Sequence, residues 1–236
     1  MPMRYTWLIL DADGTLLDFV QAERIALERT PQDLELAIPS TFVSVYEEIN
    51  ADLWARFEQG WIAARDVRQQ RFQAVFERLQ IDADADAFSE AFLQNVIRES
   101  VFEQGAEQVL AHLRGRVGLL LLTNGFSDVQ RARIERMGLK AAFDHVIISE
   151  EVGVAKPDPA IFDLALARMG DPDRGSVLVV GDSLASDILG GRNSGLDTCW
   201  YNPRDEPAQE TITPTYTIRR LDELYSLIAP GGPVDA

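Results

Sequence analysis

Cysteine is almost missing from the chain: Cys199 is the single one among 236 residues. No intrachain disulfide and no thiolate zinc cluster can be built from it, which favours a reducing, cytoplasmic setting. Histidine is scarce, with only His112 and His145, so imidazole-rich metal sites are excluded as well. Lysine is rarer than its charge class suggests, because Lys140 and Lys156 are two of 22 basic residues and the other 20 are arginines (22 − 2). Long apolar runs are absent too. Stretches such as 119–122 are far shorter than the ~18–20 residues that span a bilayer. The segment 7–10 is stopped by Asp11, short of the ~7–15 apolar residues of a secretory leader. Neither a membrane partner nor export is expected. Positive charge is in deficit, 22 basic against 38 acidic residues for a net −16, and such a field repels nucleic-acid polymers. A phosphate-bearing ligand must therefore be held locally, by a lysine, a divalent cation or backbone N–H groups.

What is present describes an ordinary globular chain, 46% hydrophobic and 25% charged. At about 150 residues per domain, the length suits one large domain or a core with an insertion. The apolar segment 5–10 runs into Asp11-Ala12-Asp13-Gly14-Thr15, a strand followed by a turn. Residues 19–102 then change character, with apolar side chains at helical spacing in Phe42, Val45, Tyr46, Ile49, Leu53 and Phe57 and breaks at Gly60 and 82–86. After Gly105, strands at 117–122, 143–148, 177–180 and 196–201 alternate with helices at 128–137, 159–169 and 185–193. This alternation predicts an α/β fold, a doubly wound parallel sheet covered on both faces. Residues 1–17 and 103–236 form the expected core domain. Residues 18–102 form a helical cap inserted after the first strand, above the carboxyl ends of the strands where ligands of such sheets bind. Hinges are expected near 16–18 and 102–105, and the Pro/Gly-rich end 230–236 is expected to fray.

Four strand ends deliver polar residues to one edge. Asp11 and Asp13 follow the first strand, Thr123 and Asn124 the second, Lys156 the loop after the third, and Asp182 with Asp187 the fourth. Aspartates gathered in a cleft cannot all stay ionised without a counter-ion, since like charges within ~4–6 Å raise one another's pKa. A hard divalent cation such as Mg²⁺, which joins carboxylates to substrate phosphate, meets that need. Given a metal and a phosphate, Asp11 is the candidate nucleophile for an aspartyl-phosphate and Asp13 the candidate general acid, then base. Lys156 would neutralise the phosphoryl oxygens, while Thr123 and the N–H groups of Asn124 and Gly125 would hydrogen-bond them.

These segments, in this order, resemble the four motifs of the haloacid dehalogenase-like hydrolases: Asp11-Ala12-Asp13-Gly14-Thr15, Thr123-Asn124-Gly125, Lys156-Pro157, and Gly181-Asp182 with Asp187 five residues on. The resemblance implies a Rossmann-like core and the first type of cap in that superfamily. It also implies Asp11, the Asp13 carbonyl and Asp182 as magnesium ligands, Asp187 as a supporting carboxylate, and Lys156 and Thr123 as phosphate contacts. The stretches 148–157 and 181–191 are similar to the bacterial pyrimidine 5′-nucleotidases, which implies hydrolysis of nucleoside 5′-monophosphates such as UMP, dUMP and dTMP. Other small phosphate esters, sugar phosphates or phosphoglycolate, are the alternative substrates. A hydrolytic dehalogenase needs neither Asp13 nor a metal, a phosphate-moving mutase shares both aspartates, and a phospho-accepting receiver module needs no cap. A monomer or homodimer is expected.

Outside these motifs the structural reading prevails. His112 and His145 lack partners in the sequence, and Cys199 reads as an inert buried thiol. Trp54, Trp61, Phe19, Phe57 and Phe72 either stack a nucleobase beneath the cap or form the cap's own core, with core packing favoured. Arg71 is a candidate contact for base or phosphate, drawn from a chain with many arginines.

Overall fold

A computed structural model describes residues 3–209 and 211–229, so the end expected to fray, 230–236, lies outside the described residues. Six strands, β1 (Trp7–Leu10), β2 (Gly118–Thr123), β3 (His145–Ile148), β4 (Val177–Gly181), β5 (Asp197–Tyr201) and β6 (Tyr216–Ile218), form one parallel sheet in the order β3-β2-β1-β4-β5-β6. Its inner strands read as near-continuous apolar runs, Leu-Leu-Leu-Leu in β2 and Val-Leu-Val-Val in β4, because crossover helices cover both faces. Leu10 pairs with Leu121 on one side and Val180 on the other. Asp11 therefore leaves the sheet between the ends of β2 and β4, where the direction of winding reverses and a crevice opens.

Ten helices accompany the sheet among the described residues. The first four, α1 (Phe19–Asp33), α2 (Phe42–Glu58), α3 (Ala64–Leu79) and α4 (Ala85–Arg98), pack on one another around an aromatic cluster of Phe42, Tyr46, Phe72, Phe88 and Phe92. Asp18 caps α1 by accepting from the Gln21 N–H, and Asp84 caps α4, so both starts are encoded by side chains that satisfy orphan amides. The two passages between this helical unit and the sheet run side by side: Asp18 N–H donates to Val101 O at 3.0 Å and Glu103 N–H to Leu16 O at 2.9 Å. The remaining helices are α5 (Ala106–Leu113), α6 (Ser127–Arg136), α7 (Ser149–Val152), α8 (Pro159–Arg168), α9 (Leu189–Asn193) and α10 (Leu224–Ile228).

Two features depart from the sequence reading. A sixth strand lies beyond β5, so Cys199 sits inside the sheet beside Tyr216; β6 is three residues long and half-exposed, which leaves no periodic signal. The helix expected over 185–193 is also divided. Leu184–Ile188 forms a π-helical turn, and α9 begins only at Leu189. The histidines do find neighbours: His145 stacks on Trp7 and His112 lies against Tyr225. Among the described residues no helix is long and apolar enough to cross a membrane.

Candidate active site

Lys156 is the centre of the strand-end cluster. Its Nζ donates to Asp11 Oδ1 at 2.5 Å, to Asp187 Oδ1 at 2.6 Å and to the Leu122 carbonyl at 3.0 Å, which uses all three ammonium protons. Asp11 and Asp187 are buried, and one carboxylate oxygen from each of Asp11, Asp182 and Asp187 lies within 4.8 Å of the others. The Asp11 carboxyl is pushed up to about 7, by burial first and by repulsion from Asp187 and Asp13, against the downward pull of Lys156. Burial likewise raises Asp182 well above the carboxylate range, with repulsion from Asp11 and Asp187 adding to it. For Lys156 burial acts downward, yet the two adjacent carboxylates override it and hold the ammonium above its ordinary value. Lys156 pairs with two of the three clustered carboxylates and leaves Asp182 without a cation, so the three cannot all be ionised unless a further positive charge is bound. A hard cation with oxygen ligands fits that donor set, which includes neither cysteine nor histidine to attract a softer one.

Backbone geometry makes the cluster possible. Gly14 has φ +79°, and a Cβ there would lie 2.3 Å from Asp182 Oδ2. A Cβ on Gly181 would lie 2.2 Å from Asp187 Cγ, so the bare backbone at the end of β4 is what admits this carboxylate. The π-helical turn aims Asp187 inward, and Asp187 Oδ2 accepts the Ser183 N–H at 3.1 Å. Thr15 Oγ1 lies 3.4 Å from Asp182 Oδ1.

The other expected phosphate contacts are placed at the same edge with different partners. The Asn124 side chain forms a reciprocal pair with the Lys156 backbone, donating to its carbonyl at 2.9 Å and accepting its N–H at 3.0 Å. It braces the lysine loop. The Gly125 N–H donates to Ser149 Oγ at 3.2 Å, while Thr123 Oγ1 accepts from Gln130 Nε2 at 3.0 Å. The same Gln130 Nε2 donates to Asp13 Oδ2 at 2.7 Å, and Arg133 Nη1 lies 2.5 Å from Asp13 Oδ1. Both oxygens of Asp13 are thus engaged by α6.

Gln130 and Arg133 are site residues that motif reading passes over. Their signal is positional: they share the buried stripe of α6 with Val129 and Ile134, and polar side chains on a core-facing stripe call for partners. Glu58, at the end of α2, also faces the cluster; burial raises its carboxyl, repulsion from Asp187 adds to this, and Lys156 opposes it.

A cavity of about 240 Å³ joins this edge to the helical unit, lined by Asp13, Asn124 and Gly125 at one end and by Asn50, Trp54 and Arg71 at the other, with Phe19 in its wall. Trp54 packs against Phe126 with ring centroids 5.6 Å apart, while Phe72 is wholly buried in the aromatic cluster. Trp61 lies elsewhere. It is 71% exposed and lines a separate, wider cleft of about 730 Å³ with Glu58 and Asp158, because the turn at Gly60 carries it off the end of α2.

Comparison with known proteins agrees with this arrangement. The family model described as haloacid dehalogenase-like hydrolase matches residues 5–195. The pyrimidine 5′-nucleotidase YjjG of Escherichia coli is 39% identical over 226 residues, covering 96% of this chain and 99% of its own. The pyrimidine 5′-nucleotidase PynA of Streptococcus pneumoniae is 30% identical over 96% of each chain. Among solved structures, the HAD-hydrolase YfnB of Bacillus subtilis bound to magnesium superposes with a TM-score of 0.86 at 34% identity, covering 94% of this chain and 97% of that one.

Proposed function

The chain belongs to the haloacid dehalogenase-like hydrolases, and from that premise we propose that it is a Mg²⁺-dependent phosphomonoesterase that hydrolyses pyrimidine nucleoside 5′-monophosphates through an aspartyl-phosphate. The observation that carries the reading is the single lysine shared by Asp11 and Asp187 beside Asp182, a charge pattern complementary to a metal-bound phosphate. The two nucleotidase relatives, similar over nearly their whole length, support the substrate class.

In this reading Asp11, Asp182 and the Asp13 backbone carbonyl hold the metal and Asp187 supports it. When bound, the cation supplies charge neutralisation that lets phosphate approach carboxylates. The Asp11 carboxylate attacks phosphorus as the ester P–O bond breaks, and Asp13 delivers a proton to the departing oxygen. Water then attacks the phosphorus of the acyl-phosphate, Asp13 takes its proton, and phosphate leaves with Asp11 restored. Lys156 neutralises charge on the transferred group, and Asn124 keeps the lysine backbone fixed while this happens. The helical unit over the crevice excludes bulk water during the first half of the cycle. A halide leaving group needs no proton, so a dehalogenase would leave Asp13 and its two partners on α6 without a task.

The test is phosphate release from UMP and dUMP by the purified protein with and without Mg²⁺, beside Asp11→Asn. Release that requires both the metal and Asp11 supports the reading; ordinary turnover by Asp11→Asn refutes the assigned nucleophile.

A further inference from the structure

Arg71, on α3, is 2% exposed, yet its Nε and Nη2 have no hydrogen-bond partner. Only Nη1 is engaged, at 3.3 Å from Asn50 Oδ1 and 3.5 Å from the Tyr46 hydroxyl. The rings of Phe92 and Phe72 lie 4.8 and 5.0 Å from its Cζ. They attract the cation but offer no lone pair to its N–H groups. Leaving buried donors unmade is costly, about 1–3 kcal/mol for each neutral group and more for a charged one. Arg71 lines the cavity, and a guanidinium there with two unmet donors is suited to an acceptor that arrives and draws them out.

The position and charge of the site narrow what that acceptor is. The cavity runs from Asp13, which would protonate the leaving oxygen, to Arg71, so whatever fills it is the leaving group of the ester. At about 240 Å³ it lies below the ~300–1,000 Å³ of drug-sized ligand sites and suits a group of one ring and a sugar. Four aromatic rings, Phe19, Trp54, Phe92 and Phe126, stand in its walls, Trp54 and Phe126 tilted at 40° to each other, which favours a flat ring over a polyol. A second full anion is disfavoured. Glu23 already lies one hydroxyl away from Arg71, its Oε1 accepting from Tyr46 at 2.6 Å, and the other cation on the wall, Arg133, is already paired with Asp13. A neutral planar ring with carbonyl oxygens meets every condition.

We propose that Arg71 is the specificity-determining residue of the leaving-group cavity, donating from Nε and Nη2 to a ring carbonyl oxygen of a uracil- or thymine-type base. The assignment rests on the phosphomonoesterase reading above and deepens it. Lysine cannot replace this contact, because it lacks the fixed fork of coplanar donors.

Its test is a ratio. kcat/KM is measured for UMP and for phenyl phosphate, a flat aromatic ester without a carbonyl, in the wild type, Arg71→Lys and Arg71→Met. The UMP-to-phenyl-phosphate ratio is expected to fall by about tenfold or more in both variants, the loss of hydrogen bonds from a charged donor. Because Arg71→Met alters a buried position and can fail to fold, a mutation-free arm uses the wild type with a ribosyl 5′-phosphate carrying phenyl in place of uracil. Its kcat/KM is expected to fall at least tenfold below that of UMP. An unchanged ratio in Arg71→Lys, or equal use of UMP and its phenyl analogue by the wild type, overturns the assignment while leaving the phosphatase reading intact. Failure of the wild type to hydrolyse either ester removes both.

Discussion

Arg133 Nη1 lies 2.5 Å from Asp13 Oδ1, and the same guanidinium donates from Nε to Ser100 Oγ at 2.9 Å. Its Cζ also sits 5.5 Å from the ring of Phe19. One buried cation thus touches the proposed acid/base and both ends of the helical unit, since Phe19 opens α1 and Ser100 follows α4. Asp13 is thus oriented from α6, by Gln130 Nε2 donating to Oδ2 and by the Arg133 cation beside Oδ1. Arg133→Met should leave Asp13 without a fixed orientation and lower kcat on nucleotide esters by about tenfold to a hundredfold, as small misplacements of reacting groups do. Stopped assays with esters of graded leaving-group pKa check it: the deficit should shrink as the leaving group improves, and a uniform deficit would contradict the positioning role.

Asp13→Asn is the sharper form of the same argument. It removes the transferable proton while keeping the shape and the acceptor for Gln130. General acid catalysis contributes about 10²–10⁴-fold, so kcat for UMP should drop by that factor and the drop should be smallest for phenyl phosphate. Trapping of a labelled aspartyl-phosphate in this variant is expected, because the second step loses its base.

Lys156→Met should destabilise the metal-free protein severely. It leaves Asp11 and Asp187 buried together without their shared cation, and removing one partner of a buried pair costs about 3–5 kcal/mol. Added Mg²⁺ should restore more melting temperature to this variant than to the wild type, because binding to the folded state alone stabilises by mass action. Absence of a metal-induced shift in both proteins would show that the carboxylates do not hold the ion.

Gly181→Ala tests how the backbone admits Asp187. The added Cβ, 2.2 Å from Asp187 Cγ, should push this carboxylate aside without a positive-φ penalty. Mg²⁺ affinity measured by calorimetry should weaken about 10–100-fold, the scale for disturbing groups that orient metal ligands.

Much of the core could be read from residues alone, for a physical reason. A parallel strand such as β2 or β4 is buried on both faces and shows as an unbroken apolar run, and the polar residue ending that run stands out, as Asp11, Thr123 and Asp182 do. Lys156 stood out through the scarcity of lysine. Gln130, Arg133 and Glu58 did not, because their importance lies in what they meet across the fold, and a helix stripe does not say which loop will face it. The aromatic residues of the helical unit show the same limit: spacing places Phe72, Trp54 and Trp61 all on helices or their ends, while only packing separates a core ring from a cavity wall and from an exposed edge. The three-residue β6 carries too little pattern to be seen without its neighbour β5.

The pH dependence of folding offers a test at the Glu23–Tyr46–Arg71 network. Burial raises the Glu23 carboxyl above its ordinary range, against the pull of the Tyr46 hydroxyl and Arg71. The folded protein therefore binds this proton more tightly than the unfolded chain, whose Glu titrates near about 4.3. The stabilisation that results is fully present below that unfolded value and is lost as pH rises through the raised one, because ionisation in the fold is the disfavoured step. Glu23→Gln keeps an acceptor for Tyr46 and abolishes the titration. Denaturant midpoints taken from pH 4 to pH 8 should show the wild type losing stability relative to Glu23→Gln as the pH increases, with the largest gap at the alkaline end. A gap that narrows toward pH 8 would mean that Arg71 stabilises the Glu23 carboxylate by more than burial penalises it.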